Sequence, residues 1–239
     1  MMAHTLFEAL AYTVGFIVYR ILRARAGDPI PEANRWTVIA AAAVGAVLGS
    51  KLLYWIEDPQ LVAAHWREPE FLMGGKTIVG GLIGGLIAVE LSKLFIGERR
   101  STGDLFAVPL CVGIAVGRIG CYLAGPADHT WGRPTTSLFA VDGGDGVPRY
   151  CLPAYEIAFL LGLAAVLVRV SPRLTRSGDA FRLFMIGYMA FRLAAEALKD
   201  DVTFAGLTSI QWACIATLVY YAGDAVRLAV SMRRLEPAS

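Results

Sequence analysis

The chain has 239 residues, 56% of them hydrophobic and 18% charged, with a formal net charge of +2. A mean hydropathy of +0.55 is too high for an ordinary soluble domain. So small a net charge gives no case for a nucleic-acid partner. The cysteines Cys111, Cys121, Cys151 and Cys214 have neither CxxC spacing nor the density of a disulfide scaffold.

The apolar residues fall in blocks of roughly 17 to 21, long enough to cross a bilayer as helices. Seven spans are expected, at residues 6–22, 36–56, 77–96, 105–123, 153–170, 180–198 and 209–226. Between them lie AGDPIPEAN, EDPQ, GERRSTGD, a long segment over 125–152, SPRLTRSGD and KDDVTFAG, all with the punctuation of loops. The N-terminal MMAHT carries no lysine or arginine and the first apolar run leads into YRILRARAG, so a retained first span is expected rather than a cleaved signal. No internal repeat or soluble domain is evident, and residues 1–239 read as one membrane-embedded, all-α domain.

Basic residues set the orientation. Arg20, Arg23, Arg25 and Arg35 surround the first connection, Lys93, Arg99 and Arg100 the third, and Arg169, Arg173, Arg176 and Arg182 the fifth. Arg227, Arg233 and Arg234 follow the last span, while the opposite loops hold fewer cations over longer segments. The expectation is an N-terminus outside and a C-terminus in the cytoplasm.

In the third span, KTIVGGLIGGLIAVE sets Gly80–Gly81 and Gly84–Gly85 one helical turn apart. Such pairs allow close helix packing, and at Gly80 and Gly81, nearer the outer end, a lipid head group has room to approach. The fourth span ends in GRIGCYLAGPADHTWGR over 117–133. A charge in hydrocarbon costs roughly 2.5–3.5 kcal/mol on insertion scales, so Arg118 is either a functional group or half of a structural ion pair. The following loop carries Asp128, His129, Trp131 and Arg133; a histidine at 129 can act as a base near neutral pH, and Asp128 can orient it or act itself. Asp142 and Asp145 read as a turn, and Cys121 and Cys151 flank the loop. Tyr155 and Glu156 open the fifth span, where Glu156 need be no more than a helix N-terminal charge.

The sixth span places Tyr188, Arg192 and Glu196 at i, i+4 and i+8, on one helix face. An Arg192–Glu196 pair alone would ease burial of both charges. A second intramembrane arginine, Arg118, in the same outer half favours a ligand: two guanidiniums converging at low dielectric suit a phosphate, here that of a phospholipid. Neither a GxxxxGKS loop nor an HExxH-type metal pattern occurs, and no cofactor is expected.

Taken together, these motifs resemble prolipoprotein diacylglyceryl transferase, a bacterial inner-membrane family. The resemblance covers most of the chain: Tyr12, Val14, Gly15 and Phe16 in the first span, GGLIG in the third, then GRIG followed by Trp131, Gly132 and Arg133. Pro148, Arg149, Tyr155 and Glu156 come next, then GYxAFRxxxE over 187–196 and LTxxQ ending at Gln211. The resemblance implies a multi-pass protein of the bacterial cytoplasmic membrane. Its reaction would be diacylglyceryl transfer from phosphatidylglycerol to the thiol of a prolipoprotein. Arg118 and Arg192 would hold the lipid phosphate and stabilise the leaving group, Glu196 would orient Arg192, and Gly80 and Gly81 would admit the head group. Cys121, Trp131, Gly132, Arg133 and Tyr155 fall within the substrate-binding motifs.

The sequence also departs from the family. A histidine usual before GGL is Val79, and GRxGN reads GRIGC, ending in Cys121. A second asparagine is Ala124, and the acidic residue expected after the next glycine is replaced by Pro126 and an insertion holding Asp128 and His129. The family's first-span tyrosine aligns with Glu8, and a histidine with Tyr150. The acid–base function then falls to His129, Asp128, Glu8 or Cys121, with His129 favoured because histidines as a class titrate near neutral pH. Three other readings are a phospholipid-dependent transferase with another acceptor, a non-catalytic phospholipid-binding protein, and a transporter, which would call for repeats and broken helices.

Overall fold

The computed structural model describes residues 2–233. Met1 of the N-terminal reading and Arg234 of the orientation argument lie outside the described residues.

The apolar blocks form long helices: α1 (Met2–Ala26), α2 (Glu32–Glu57), α5 (Ile78–Phe95), α6 (Asp104–Ala124) and α7 (Leu152–Val170). These five are long and apolar enough to cross a membrane, and a sixth follows if the pair α9 (Ser209–Tyr220) and α10 (Ala222–Arg233) counts as one span. The protein is thus a mainly helical membrane protein. The helix α8 (Asp179–Glu196) carries Asp179, Arg182, Arg192 and Glu196 along its length. Among the described residues, the remaining regular structure includes a ribbon of β1 (Ala140–Asp142) antiparallel to β2 (Pro148–Tyr150), in the loop after α6.

Two local expectations need correction. The segment over 209–226 is not one continuous helix but breaks at Tyr221. Past the break, Arg227 pairs with Asp179 of α8 at 2.7 Å and with Asp224 at 2.7 Å, while Leu228 is buried at 1% exposure, so ion pairs and apolar packing both hold α10. The connection between α2 and α5 also contains two short helices, α3 (Pro59–His65) and α4 (Pro69–Met73). Each begins with a proline, whose fixed φ suits a first helical position. The Asp58 carboxylate caps α3 by accepting from the Leu61 amide at 2.9 Å.

Two compact units emerge from the packing. One gathers the described residues of 2–27, 101–200 and 221–233; the other holds 28–100 and 201–220. In the first, α6 packs along α1, with Tyr19 and Phe106 stacked at 4.9 Å, and α7 meets α8 through Phe159 and Phe191 at 4.4 Å. The Asp104 carboxylate at the start of α6 accepts from the amides of Gly178 at 2.5 Å and Phe181 at 3.1 Å, which fixes α8 axially.

The second unit rests on the α2–α5 pair. Gly45 and Gly49 of α2 face Gly80 and Gly84 of α5 so closely that a Cβ on Gly49 would stand 2.3 Å from the Gly80 carbonyl, and one on Gly84 2.3 Å from that of Gly45. Backbone contact of this kind is how helices associate where lipid removes the hydrophobic drive. Gly85, by contrast, meets only ordinary contacts, so the packing pair is Gly80 and Gly84 rather than adjacent doublets. Asp28 receives a bidentate bond from the fully buried Arg35, at 2.6 Å for the shorter contact, and ties the entry of α2. Gln211 and Thr208 cap α9 reciprocally at 2.9 and 3.1 Å.

Gly84→Ala is therefore expected to destabilise the protein by about 1–3 kcal/mol through overpacking. Thermal unfolding in detergent measures this, with Gly162→Ala as the control, since no atom lies within 4 Å of a Cβ there.

Candidate active site

The site grows from one buried carboxylate. Glu156 lies in the second turn of α7 and is 1% exposed. Its Oε2 stands 2.8 Å from Arg118 Nε of α6 and 3.3 Å from Arg192 Nη1 of α8. Its Oε1 accepts from the Tyr188 hydroxyl at 2.6 Å. Three helices thus converge on one side chain, and Glu156 is no mere helix-end charge. The Arg118 contact is an ion pair in which the Nε–H is not aligned for a hydrogen bond.

Helical spacing supplies the other half. Arg192 Nη2 donates to Glu196 Oε2 at 2.7 Å, as the i, i+4 pattern predicts, and Lys199 Nζ stands 3.7 Å from Glu196 Oε1. Arg192 Nε is buried with no acceptor among the described residues. Arg118, Arg192 and Lys199 thus meet Glu156 and Glu196 where water is largely excluded. The two guanidiniums suit an anion able to accept several N–H bonds.

One turn beyond Arg118, the Cys121 thiol lies 3.6 Å from Arg118 Nη1 and within hydrogen-bond reach of the Asp128 side chain. Asp128 also accepts from the Thr130 hydroxyl at 3.1 Å. The Gly125 cap of α6 has φ +73°, and the turn Pro126–Asp128 folds the loop back over the helix end. His129 follows with φ +54°, its side chain exposed, so Asp128 reaches the Arg118 neighbourhood and His129 faces solvent. Cys121 and Cys151 are not joined by a disulfide. Glu8, on α1, accepts from Tyr12 at 3.3 Å.

The Trp131–Arg133 stretch is held by its backbone. The Gly132 amide donates to Tyr150 O and the Arg133 amide to Leu198 O, both at 2.8 Å. A Cβ at Gly132 would come within 2.7 Å of Leu198 O and 2.9 Å of Tyr150 Cβ, so only glycine fits. Trp131 is buried and stacked on Tyr122 at 6.1 Å; Arg133 is exposed. The ribbon beyond is clasped by Arg149 and Asp145 at 2.7 Å, and this guanidinium holds the Asp145 carboxyl below its ordinary range. Tyr155 donates its hydroxyl to Phe139 O at 2.5 Å.

Gly80 and Gly81 belong to the other unit. Gly80 is buried against Gly49, and its amide donates to the Thr77 hydroxyl at 3.2 Å; Gly81 is half-buried with ordinary contacts. Val79, 1% exposed, is an apolar packing residue.

Sequence reasoning found Arg118, Tyr188, Arg192 and Glu196 but missed what joins them. Glu156 was visible as an acidic residue inside an apolar span, and Lys199 as the next cation one turn beyond Glu196. Intramembrane charge of opposite sign to Arg118 was the signal that could have found Glu156.

The sequence model of the prolipoprotein diacylglyceryl transferase family matches residues 2–226. A protein of Bordetella bronchiseptica named phosphatidylglycerol–prolipoprotein diacylglyceryl transferase is 32% identical over 234 residues, covering 90% of this chain and 87% of its own. The protein of the same name from Bordetella parapertussis is 32% identical over 199 residues, 78% of this chain and 71% of its own. That from Methylococcus capsulatus is 31% identical over 240 residues, 88% and 86%. With a family match across nearly its whole length and relatives at this identity, the chain belongs to the prolipoprotein diacylglyceryl transferase family.

Proposed function

We propose that the protein transfers the diacylglyceryl group of phosphatidylglycerol to the thiol of a prolipoprotein. The observation that carries this reading is the buried Arg118–Glu156–Arg192 network, in which Arg192 Nε has no acceptor among the described residues. A phosphodiester is an anion whose oxygens match the N–H groups of Arg118 and Arg192.

The reaction places the acceptor sulfur on the glycerol carbon bonded to the phosphate ester oxygen. The S–C bond forms, the C–O bond breaks, and glycerol phosphate leaves with the electron pair. Arg118 and Arg192 bear the charge that develops on that oxygen, while Glu156 and Glu196 hold the two guanidiniums in place. The thiol proton goes to a base in the outer loop. Of Asp128 and His129, the hydrogen bond toward Cys121 supports Asp128 as the acceptor of that proton, with Cys121 and Thr130 orienting its carboxylate. Trp131, Gly132, Arg133 and Tyr155 form the loop side of the substrate site; Gly80 and Gly81, on α5, are small enough to admit a lipid head group.

We also read seven spans, α8 being the one whose charges are absorbed internally, with the N-terminus outside and the C-terminus cytoplasmic in a bacterial inner membrane. The family match runs through both compact units, which supports one transferase domain. A different acceptor is the second reading. It is favoured by Val79, an apolar buried residue where the family resemblance expects a histidine.

Reconstitution with labelled phosphatidylglycerol and a lipobox peptide tests both readings. Arg118→Ala is expected to lower peptide labelling by about 10²–10³-fold, as for loss of a donor to a developing oxyanion. Asp128→Asn is expected to lose about 10²–10⁴-fold and His129→Ala to stay near wild type, so the reverse ranking would move the base to His129. Lipid turnover without peptide labelling would support another acceptor. Stability provides a separate check. Glu156→Gln leaves two guanidiniums short of a counter-charge and is expected to cost about 3–5 kcal/mol, measured as a fall in Tm. Added phosphatidylglycerol should raise that Tm more than it raises wild type's.

A further inference from the structure

The loop between α6 and α7 exposes an apolar tip that the transfer reaction does not explain. Leu138 is 100% exposed and Phe139, its neighbour, 74%. Adjacent large apolar side chains so open to water are unfavourable on an extramembrane loop unless something covers them. The tip is also held at a defined level. The Tyr155 hydroxyl donates to Phe139 O at 2.5 Å, and Tyr155 sits in the first turn of the apolar helix α7.

Tyr155 heads a particular face of that helix. From it the positions Ala158, Leu161, Ala165 and Val168 follow at helical spacing, and all four are exposed, with Leu161 at 53% and Val168 at 57%. In a membrane-spanning helix an apolar stripe left open by the protein is the face toward lipid. A tyrosine at its end occupies the position of an interfacial anchor, ring among acyl chains and hydroxyl toward the polar layer. Here the hydroxyl is spent on the loop, which fastens Leu138 and Phe139 to the head of the lipid-facing stripe.

We infer that Leu138 and Phe139 insert into the head-group and upper acyl layer of the membrane beside α7, as a lipid anchor for the loop that carries Asp128 and the Trp131–Arg133 stretch. The occupant is the bilayer, because the tip continues a surface that already faces it. The anchor sets the depth of the loop over the helix ends through side chains that take no part in transfer.

An environment-sensitive dye on Leu138→Cys tests this in the full-length protein, reconstituted in phosphatidylglycerol–phosphatidylcholine vesicles. The native cysteines are all buried, so the new thiol labels selectively. A nitroxide on the upper acyl chain should quench the dye at 138 several-fold more than at the exposed control Thr136→Cys, and aqueous iodide should do the opposite. Phe139→Cys should behave as Leu138→Cys. Adding Tyr155→Phe should shift the dye at 138 toward iodide, which separates the tether from any lipid affinity of the dye itself. Iodide quenching at 138 equal to that at 136 would overturn the inference. So would protection from both quenchers, since protein would then cover the tip, or an unchanged profile in Tyr155→Phe.

Discussion

The first unit depends on Glu156 lying between Arg118 and Arg192. In hydrocarbon a lone guanidinium is costly and a pair of them repel; one carboxylate reduces both terms and draws α6, α7 and α8 to a point. The Tyr188 hydroxyl uses the remaining carboxylate oxygen, so the acceptor is satisfied on both sides. Packing elsewhere follows from this convergence: Phe159 against Phe191, the Asp104 cap on α8, and the loop bonds that lock Gly132 between Tyr150 and Leu198. A buried ion network of this sort is seldom the cheapest way to stabilise a core. Its retention makes sense where the same charges must meet an anionic ligand.

What the sequence revealed divides along physical lines. Apolar block length is a local property, so α1, α2, α5, α6 and α7 could be read directly, as could the Tyr188–Arg192–Glu196 face from helical spacing. The role of Glu156 is non-local: Arg118 and Arg192 are distant in sequence, and a glutamate in the second turn of a helix has a ready local explanation. The same applies to Asp128 and His129. Adjacent in the chain, they part because the backbone turns left-handed at His129 and sends its side chain to solvent. Glycine content signalled close packing in α5, but only the facing glycines of α2 show that Gly80 and Gly84 make it.

The two ends of the proposed site are built differently. Arg118, Arg192 and their carboxylates sit in helices, while Asp128 lies on the loop after α6. A helix-borne side chain is fixed by neighbours on other helices, as Arg118 and Arg192 are by Glu156, whereas a loop tolerates change more readily.

The pairing of charges also bears on how the chain enters a membrane. Helices are delivered in sequence order, and each intramembrane charge is costly while it waits for a partner. The α6–α7 hairpin brings Arg118 and Glu156 together, so it can be inserted as a neutral unit. The α8 helix carries Arg192 and Glu196 one turn apart and arrives already self-compensated. Only then does Arg192 add its contact to Glu156. Each of these elements thus carries its own compensating charge, and Lys199, just past the end of α8, adds a cation beside Glu196.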